Sequence, residues 1–354
     1  MNTLGKNLRI TTFGESHGIA MGGIIDGFPS GFKIDFKKLD EFIQLRRPGT
    51  STTVTQRKES DTPEFLSGIS SDGITLGTPI GFIIRNSDSR SNDYKDIKDL
   101  YRPNHADFTY DARYGIRDYR GGGRASARET VNWVVAGGLA LQWLESKGVR
   151  IQSILSQVGK VSIKEAITKE LISNPSNDFE LKITETLSEK MNQEILDVKK
   201  SGDSVGGIVT CVITGLPAGI GNPVFGKFHA QLAYAMMSIN AAKGFEYGSG
   251  FESSKSLGSE SADIFLPKSC PERRITTSTN HSGGVQGGIT NGMPVFFNVA
   301  FKPTPTILKE QNTVDINGKA TILRARGRHD PCVAVRAVPV VKAMAALVTA
   351  DFLV

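Results

Sequence analysis

Arginine and histidine carry the most legible chemistry in this chain. Between Arg102 and Arg128 lie six arginines (Arg102, Arg113, Arg117, Arg120, Arg124 and Arg128) and no lysine. A guanidinium is a planar fork that grips carboxylate or phosphate through paired hydrogen bonds, whereas an ammonium acts as a point charge. The cluster therefore suits small anions. The same stretch carries Asp107, Asp111, Asp118 and Glu129, which can pair with some of these arginines internally. Arg124 and Arg128 stand four apart around an expected helix start, where free backbone N–H groups also favour anions. His105 sits among them, and cationic surroundings favour its neutral form. Arg46, Arg47 and Arg57 make a second cluster, divided by Pro-Gly and a Thr/Ser-rich loop. GRHDPC at 327–332 joins Arg328, His329 and Asp330 ahead of Pro331, which reads as the opening of the last helix with Asp330 suited to an N-cap.

Two other motifs compete with this reading. GESHG at 14–18 has the G-x-S-x-G form of a hydrolase nucleophile elbow, which needs a strand before it and a helix after it. Here a strand-like run, IAMGGII, follows, so a serine hydrolase is disfavoured. RGGGR at 120–124 resembles an RNA-binding glycine-arginine tract. Such tracts recur in disordered segments, whereas this one stands alone before an apolar helix, as an anion-cradling loop would. A basic RNA-binding protein is the second, weaker alternative. No G-x-G-x-x-G or P-loop string is present.

The elements that must position these residues come in two copies. GESHGIAMGGIIDGFPSGF (14–32) aligns without gaps on GDSVGGIVTCVITGLPAGI (202–220), and GITLGTPIGFII (73–84) on GITNGMPVFFNV (288–299). Arg102-Pro103 and Lys302-Pro303, then Gly123-Arg124 and Gly327-Arg328, continue the series in the same order. We read a single domain, 1–354, of two related halves, about 1–150 and 200–354, joined by a charged helical segment at 160–201. His17 has Val205 as its counterpart, so the histidine belongs to only one copy of a shared turn. LRITTF and MGGIIDGF are short and bounded by Gly and Pro, which predicts strands. DFKKLDEFIQLRR has helical spacing. ARETVNWVVAGGLALQWLESKG and AVPVVKAMAALVTADFL read as buried helices, the former closed by Gly148. The sum is α+β.

Composition sets the limits. The chain has 354 residues, a net charge of +6 and a pI near 9.1, and 39% of its residues are hydrophobic, enough for a packed core. The charge suits either nucleic acid or a pocket for small anions. The N-terminus lacks the apolar run of a signal peptide. Pro217, Pro223 and interspersed glycines break up the uncharged stretch 204–226, so no membrane span is expected there. Cys211, Cys270 and Cys332 are odd in number and widely spaced, which suits a reducing cytoplasm. The five histidines include no pair at metal-ligand spacing, so no metal is expected.

Taken in order, GESHG, RRPGTS, TQR, RPNHAD, YGIRDYRGGGR, SARET, SINAAKG, GGITNG, KPTPT and GRHDPC resemble the chorismate synthase family across nearly the whole chain. The resemblance implies a β-α-β sandwich with helices between two antiparallel sheets, and a homotetramer. It implies a lyase of the shikimate pathway that converts 5-enolpyruvylshikimate 3-phosphate to chorismate and phosphate. The reaction uses reduced FMN (FMNH2) without net redox change. By the same resemblance His17 protonates departing phosphate, His105 stabilises charge on the reduced flavin, and Asp330 assists proton abstraction. Arg47, Arg57, Arg102, Arg128 and Arg328 hold substrate anions or flavin. Flavin contacts fall on Arg124, Ala125, Ser126, Asn240, Ala241, Gly287, Lys302, Pro303, Thr304, Pro305, Thr306 and Arg328. Ala125 replaces a serine usual in the family. Thr52 replaces an arginine associated, with the position of Arg46, with pyridine nucleotide, so NADPH is expected to act only indirectly or weakly.

Overall fold

The computed structural model describes residues 1–47, 61–86, 98–267, 275–324 and 330–354. Strand β2 (Arg9–Gly14) buries Ile10 and Thr12 and exposes Arg9, Thr11 and Phe13, the period of two expected of a sheet with one face on the core. It lies between β1 (Thr3–Leu4) and β3 (Ala20–Asp26). Beyond β3 come β5 (Ile80–Arg85) and then β4 (Glu64–Phe65), giving a five-stranded antiparallel sheet in the order β1-β2-β3-β5-β4. The second sheet is also antiparallel and five-stranded. Its members are β6 (Arg150–Val158), β7 (Val161–Ser162), β8 (Gly207–Thr214), β9 (Ala242–Tyr247) and β14 (Val295–Phe301), in the order β7-β6-β8-β14-β9. Small ribbons pair β10 (Phe265–Leu266) with β11 (Thr276–Thr277), β12 (Val285–Gln286) with β13 (Ile289–Thr290), and β15 (Gln311–Val314) with β16 (Ala320–Leu323).

Helices fill the space between the sheets. α1 (Phe36–Arg46) starts at Asp35, whose carboxylate accepts from the Lys38 N–H at 3.0 Å, and buries Leu39 and Ile43 one turn apart. α2 (Asp107–Tyr114) lies in the arginine-rich stretch. α3 (Thr130–Ser146) touches β2 and β3 of the first sheet, and α7 (Val333–Leu353) touches β6, β8 and β14 of the second. These two helices meet almost backbone to backbone: a Cβ on Gly137 would lie 2.5 Å from the Ala343 Cα. α1 rests on both, and α6 (Phe228–Met237) rests on α7. By length and composition α7 alone among the described helices could cross a membrane, but it is largely buried in the core. The architecture is the expected α+β sandwich, with helices between two antiparallel sheets.

The duplication holds at the level of register. Met21 pairs with Ile84 in the first sheet, and their aligned counterparts Val209 and Val299 pair in the second. Loop clamps repeat as well. Thr75 Oγ1 donates to the Pro29 carbonyl at 2.6 Å and accepts from the Phe32 N–H at 3.0 Å; Thr290 Oγ1 donates to Pro217 at 2.7 Å and accepts from Ile220 at 2.9 Å. One boundary moves. Ile10 pairs with Ile25, and Ile151 with Ile213, the counterpart of Ile25, so β6 occupies the place of β2. The second half therefore begins at about β6. The charged segment does not join the halves but is inserted into the second, between β6 and β8. There α4 (Lys164–Ser173) and α5 (Glu185–Lys200) follow β7, and Ile167 and Leu171 of α4 pack with Val212 and Phe296 on the outer face of the second sheet.

Candidate active site

RGGGR builds the centre of the site by having no side chains. Gly121, Gly122 and Gly123 all have positive φ (+67°, +89° and +51°), a run that L side chains rarely adopt. Each faces a functional group at close range. A Cβ on Gly121 would lie 2.1 Å from His17 Cε1; on Gly122, 2.8 Å from His105 Cε1; on Gly123, 2.6 Å from Glu15 Oε2. Two histidines 88 positions apart in sequence thus lie against consecutive loop residues. His17 is buried, and Ser16 Oγ is 3.1 Å from its Nδ1. Asn86 donates to the carbonyls of Glu15 (3.1 Å) and Gly18 (2.8 Å), fixing the turn that carries the histidine. Strand β3 follows that turn, so the nucleophile-elbow reading fails. The arginines flanking the glycines are ion-paired, Arg120 to Asp118 and Arg124 to Glu129, unlike those of a free RNA-binding tract.

Most of the remaining arginines also have carboxylate partners. The buried Asp107 accepts from Arg102 through Nε and Nη2, both at 2.8 Å; Arg117 Nη1 makes an ion pair with it at 3.1 Å, and His105 Nδ1 lies 3.0 Å from its Oδ1. Arg102 and His105 hold the Asp107 carboxyl far below the usual carboxylate range, against the opposing effect of burial. Burial lowers the His105 pKa; the hydrogen bond to Asp107 opposes this, while Arg102 and Lys302 add to it. Lys302 Nζ donates to the Asn104 carbonyl at 2.8 Å, tying the second half to this loop, and burial lowers its own pKa.

A second cluster sits where α1 ends against α3 and α7. The fully buried Asp61 accepts from both Arg46 and Arg128. Burial alone would raise its pKa, but the two guanidiniums bring it down to about 2. Arg46 is 1% exposed, and burial lowers its pKa to about 10 with Asp61 opposing. Arg336 donates from Nε to the Arg46 carbonyl at 2.9 Å and from Nη1 to Asp330 Oδ2 at 2.8 Å. A cavity of about 20 Å³, room for about one water, lies between Arg46, Thr130, Asn240, Asp330 and Arg336. Arg46 Nε and Asn240 Oδ1 are buried there without protein partners.

A larger cleft of about 760 Å³ opens beside the glycine loop, with Glu15, Tyr110, Gly122, Arg124, Ala125 and Asn240 among its walls. Arg124 grips Glu129 with both terminal nitrogens at 3.1 Å and donates to Thr12 Oγ1 at 2.8 Å. Glu129 is buried, which raises its pKa against Thr12 and Arg124.

The structure thus gathers His17, His105, Arg102, Arg124, Ala125 and Lys302 around one loop, and Arg46, Arg128, Asn240 and Asp330 just behind it. Ser126 Oγ accepts from the Arg128 N–H at 3.3 Å, and Asn240 Nδ2 donates to the Ala125 carbonyl at 2.8 Å. Ala241 takes φ +68° and its carbonyl accepts the Lys302 N–H. Thr304 Oγ1 donates to the Asp330 carbonyl, Pro303 and Pro305 flank it, and Thr306 is buried. Arg47 caps α1, its N–H bonding to Gln44. Gly287 stands apart, in the β12–β13 turn, where a Cβ would meet nothing within 4 Å. Thr52, Arg57 and Arg328 lie outside the described residues. The N-cap expectation for Asp330 is corrected: α7 starts at Val333 after Cys332, and the Asp330 carboxylate bonds Arg336 instead. Asp61 was missed from sequence, since nothing local marks one aspartate as the partner of arginines 15 and 67 residues away. No metal-binding cluster exists among the described residues.

A family model described as chorismate synthase matches residues 8–354. The chorismate synthase of Christiangramia forsetii is 52% identical over 357 residues, spanning 99% of this chain and 97% of that protein. That of Phocaeicola vulgatus is 52% identical over 352 residues, with the same coverage. A solved structure titled "Crystal Structure of Chorismate Synthase" superposes with a TM-score of 0.75 at 30% identity, over 99% of this chain and 92% of that one. The match runs through both repeats and every loop of the site, so the chain belongs to the chorismate synthase family, enzymes of the shikimate pathway.

Proposed function

We propose that this chain is a carbon–oxygen lyase that expels phosphate from 5-enolpyruvylshikimate 3-phosphate by anti-1,4-elimination, with reduced FMN bound beside the substrate and no net redox change. The observation that carries this reading is the placement of His17 and His105 against consecutive glycines, beside a cleft whose walls include Arg124, Ala125 and Asn240 of the flavin-contact set. The described residues fit a flavin. The volume is that of a small-molecule site, and Arg124, Ala125 and Asn240 stand on its walls beside the backbone of Gly122 and Gly123. Bound in its reduced form, the flavin supplies an electron-rich ring to the elimination.

The chain's own residues do the rest. His17, held beside Ser16, donates a proton to the departing phosphate, a role suited to imidazole near neutral pH. His105 presents its ring edge to the loop where the cofactor would lie. Asp330, anchored by Arg336, assists removal of the substrate's proton. Arg102, held on Asp107 through Nε and Nη2, forms the anion set with Arg47, Arg57, Arg128 and Arg328. The deep burial of Arg46 beside Asp61 supports a weak or indirect role for NADPH. The reading includes a cytoplasmic homotetramer, in which a second copy would cover the open outer face of the first sheet around Phe13 and Ile24. Anaerobic mixing with reduced FMN and substrate tests the proposal. Phosphate release with the flavin still reduced at completion is expected. Absence of release would overturn it, and salt-sensitive nucleic-acid binding without any flavin response would favour the RNA alternative.

A further inference from the structure

We infer that Asp107 is a positioning residue that fixes the tautomer of His105: the proton stays on Nδ1, and Nε2 is the nitrogen offered to the site. The inference rests on the reading of His105 as a group facing the cofactor, but its test does not depend on turnover. Asp107 opens α2, and its two oxygens meet three donors from Arg102, an ion-pair contact from Arg117 and a ring nitrogen of His105. Oδ2 takes the Arg102 backbone N–H at 3.0 Å and Arg102 Nε at 2.8 Å. Oδ1 takes Arg102 Nη2 at 2.8 Å, is ion-paired with Arg117 Nη1 at 3.1 Å, and lies 3.0 Å from His105 Nδ1. A carboxylate among so many cationic donors stays ionised and has only lone pairs to offer. The proton between Oδ1 and Nδ1 therefore belongs to the nitrogen, the usual consequence of a carboxylate behind an imidazole.

Geometry fixes the other edge as well. A Cβ on Gly122 would sit 2.8 Å from His105 Cε1 and 3.1 Å from Nε2, so this edge lies against the glycine loop. Arg102 grips the carboxylate in a bidentate pair and Arg117 braces it, while Arg117 is itself tied to the Lys98 and Leu100 carbonyls. The carboxylate cannot swing away without stripping Arg102 of its bidentate partner and leaving Arg117 only Asp111 as an acidic partner. The charged groups acting on the ring are Asp107, which favours the cation, and Arg102 and Lys302, which with burial favour the neutral form. The neutral ring thus shows Nε2 as an acceptor, and a proton taken up from solvent, which a nearby anionic ligand would favour, turns the same atom into a donor. Without Asp107, an imidazole reverts to its ordinary preference for the proton on Nε2.

Histidine-selective 15N labelling of the full-length protein reads this directly. Long-range 1H–15N spectra, recorded at a pH where His105 is neutral and assigned by the signals lost in His105→Gln, should show a protonated Nδ1 and a bare Nε2. A neutral His105 carrying its proton on Nε2, or an even mixture, overturns the inference in the wild-type protein alone, whether or not a variant folds. In Asp107→Asn the arginines claim the amide oxygen and its NH2 donates to Nδ1, so the Nδ1–H signal should be lost and Nε2–H gained. An unchanged tautomer in a folded Asp107→Asn protein also overturns it. Full phosphate release by His105→Ala would remove the catalytic reading of His105 but leave the tautomer result standing, so the two failures can be told apart.

Discussion

The two halves share strand order, register and loop clamps, yet they differ in what hangs from the scaffold. In the first half, the turn between β2 and β3 carries His17, and a glycine loop folds over it. In the second, Val205 takes the place of the histidine; its N–H bonds the Pro331 carbonyl, and Ser204 Oγ donates to Thr304. The second turn is tied to the loops around Pro331 and Thr304, whereas its twin is held by Asn86 and sets His17 against the glycine loop. The outer faces differ too. The inserted α4 covers the second sheet, whereas the first sheet leaves Phe13 and Ile24 in the open. Duplication supplies a rigid frame, and departures from symmetry mark where function was added.

The largest asymmetry in energy lies at the buried cluster behind the site. Asp61→Asn leaves Arg46 and Arg128 without their carboxylate, and removing one partner of a buried ion pair costs about 3–5 kcal/mol. Denaturant titration at pH 7 should show that loss. The pH dependence has a definite sign. Because the folded-state pKa of Asp61 is lowered to about 2, its stabilisation is present above the ordinary carboxylate range and disappears as pH falls through about 2. Wild-type protein should lose more stability than Asp61→Asn between about pH 4 and pH 2. Parallel curves would show that the fold does not lower the Asp61 pKa.

The next effect falls on turnover. His17→Val converts the first turn to the residue found in the second, and loss of a general acid predicts a fall of ~10²-fold or more. Circular dichroism and melting should stay near wild type, since Val205 shows that the turn accepts valine. Turnover within a few-fold of wild type would remove His17 from the chemistry.

The repeats were legible in the sequence because their glycines, prolines and Thr75/Thr290 sit where backbone geometry demands them. A gapless alignment of 14–32 on 202–220 therefore carried register as well as topology. The extent of the second half was not legible, because the place of β2 is taken by β6, which lies before the insertion and shares no motif with β2. At the site, His17 was visible as a break in the repeat, and the arginines were visible as a cluster. The carboxylates of the same stretch were legible as partners too, and Asp107 and Glu129 do pair with Arg102 and Arg124, five residues away. What sequence could not show is Asp61, which meets Arg46 and Arg128 across 15 and 67 residues through the fold.

If the two halves are equivalent in their clamps, the same mutation should cost the same in each. Thr75→Val and Thr290→Val each remove one hydroxyl that both donates to a proline carbonyl and accepts from a backbone N–H. Both hydroxyls are buried, so each loss should cost about 1–3 kcal/mol. Equal shifts in the denaturation midpoint would sharpen the idea of a shared frame. A large difference would mean that one clamp is redundant.

The smallest predicted effect isolates the inserted helix. Ile24 and Val212 are aligned positions on the outer faces of β3 and β8, but Ile24 is 45% exposed and Val212 is 0% exposed beneath Ile167 and Leu171. Val212→Ala removes two buried carbons, about 0.8 kcal/mol each, and adds a small cavity, so about 2 kcal/mol should be lost. Ile24→Ala, at a surface position, should change stability by no more than about 0.5 kcal/mol in the isolated chain. Measured under conditions that favour assembly, the comparison becomes a probe of the open face. If a second copy covers the first sheet, Ile24→Ala should gain a concentration-dependent penalty, because a partner would then do for Ile24 what α4 does for Val212. A penalty that stays small at every concentration would leave the first sheet's outer face uncovered in solution.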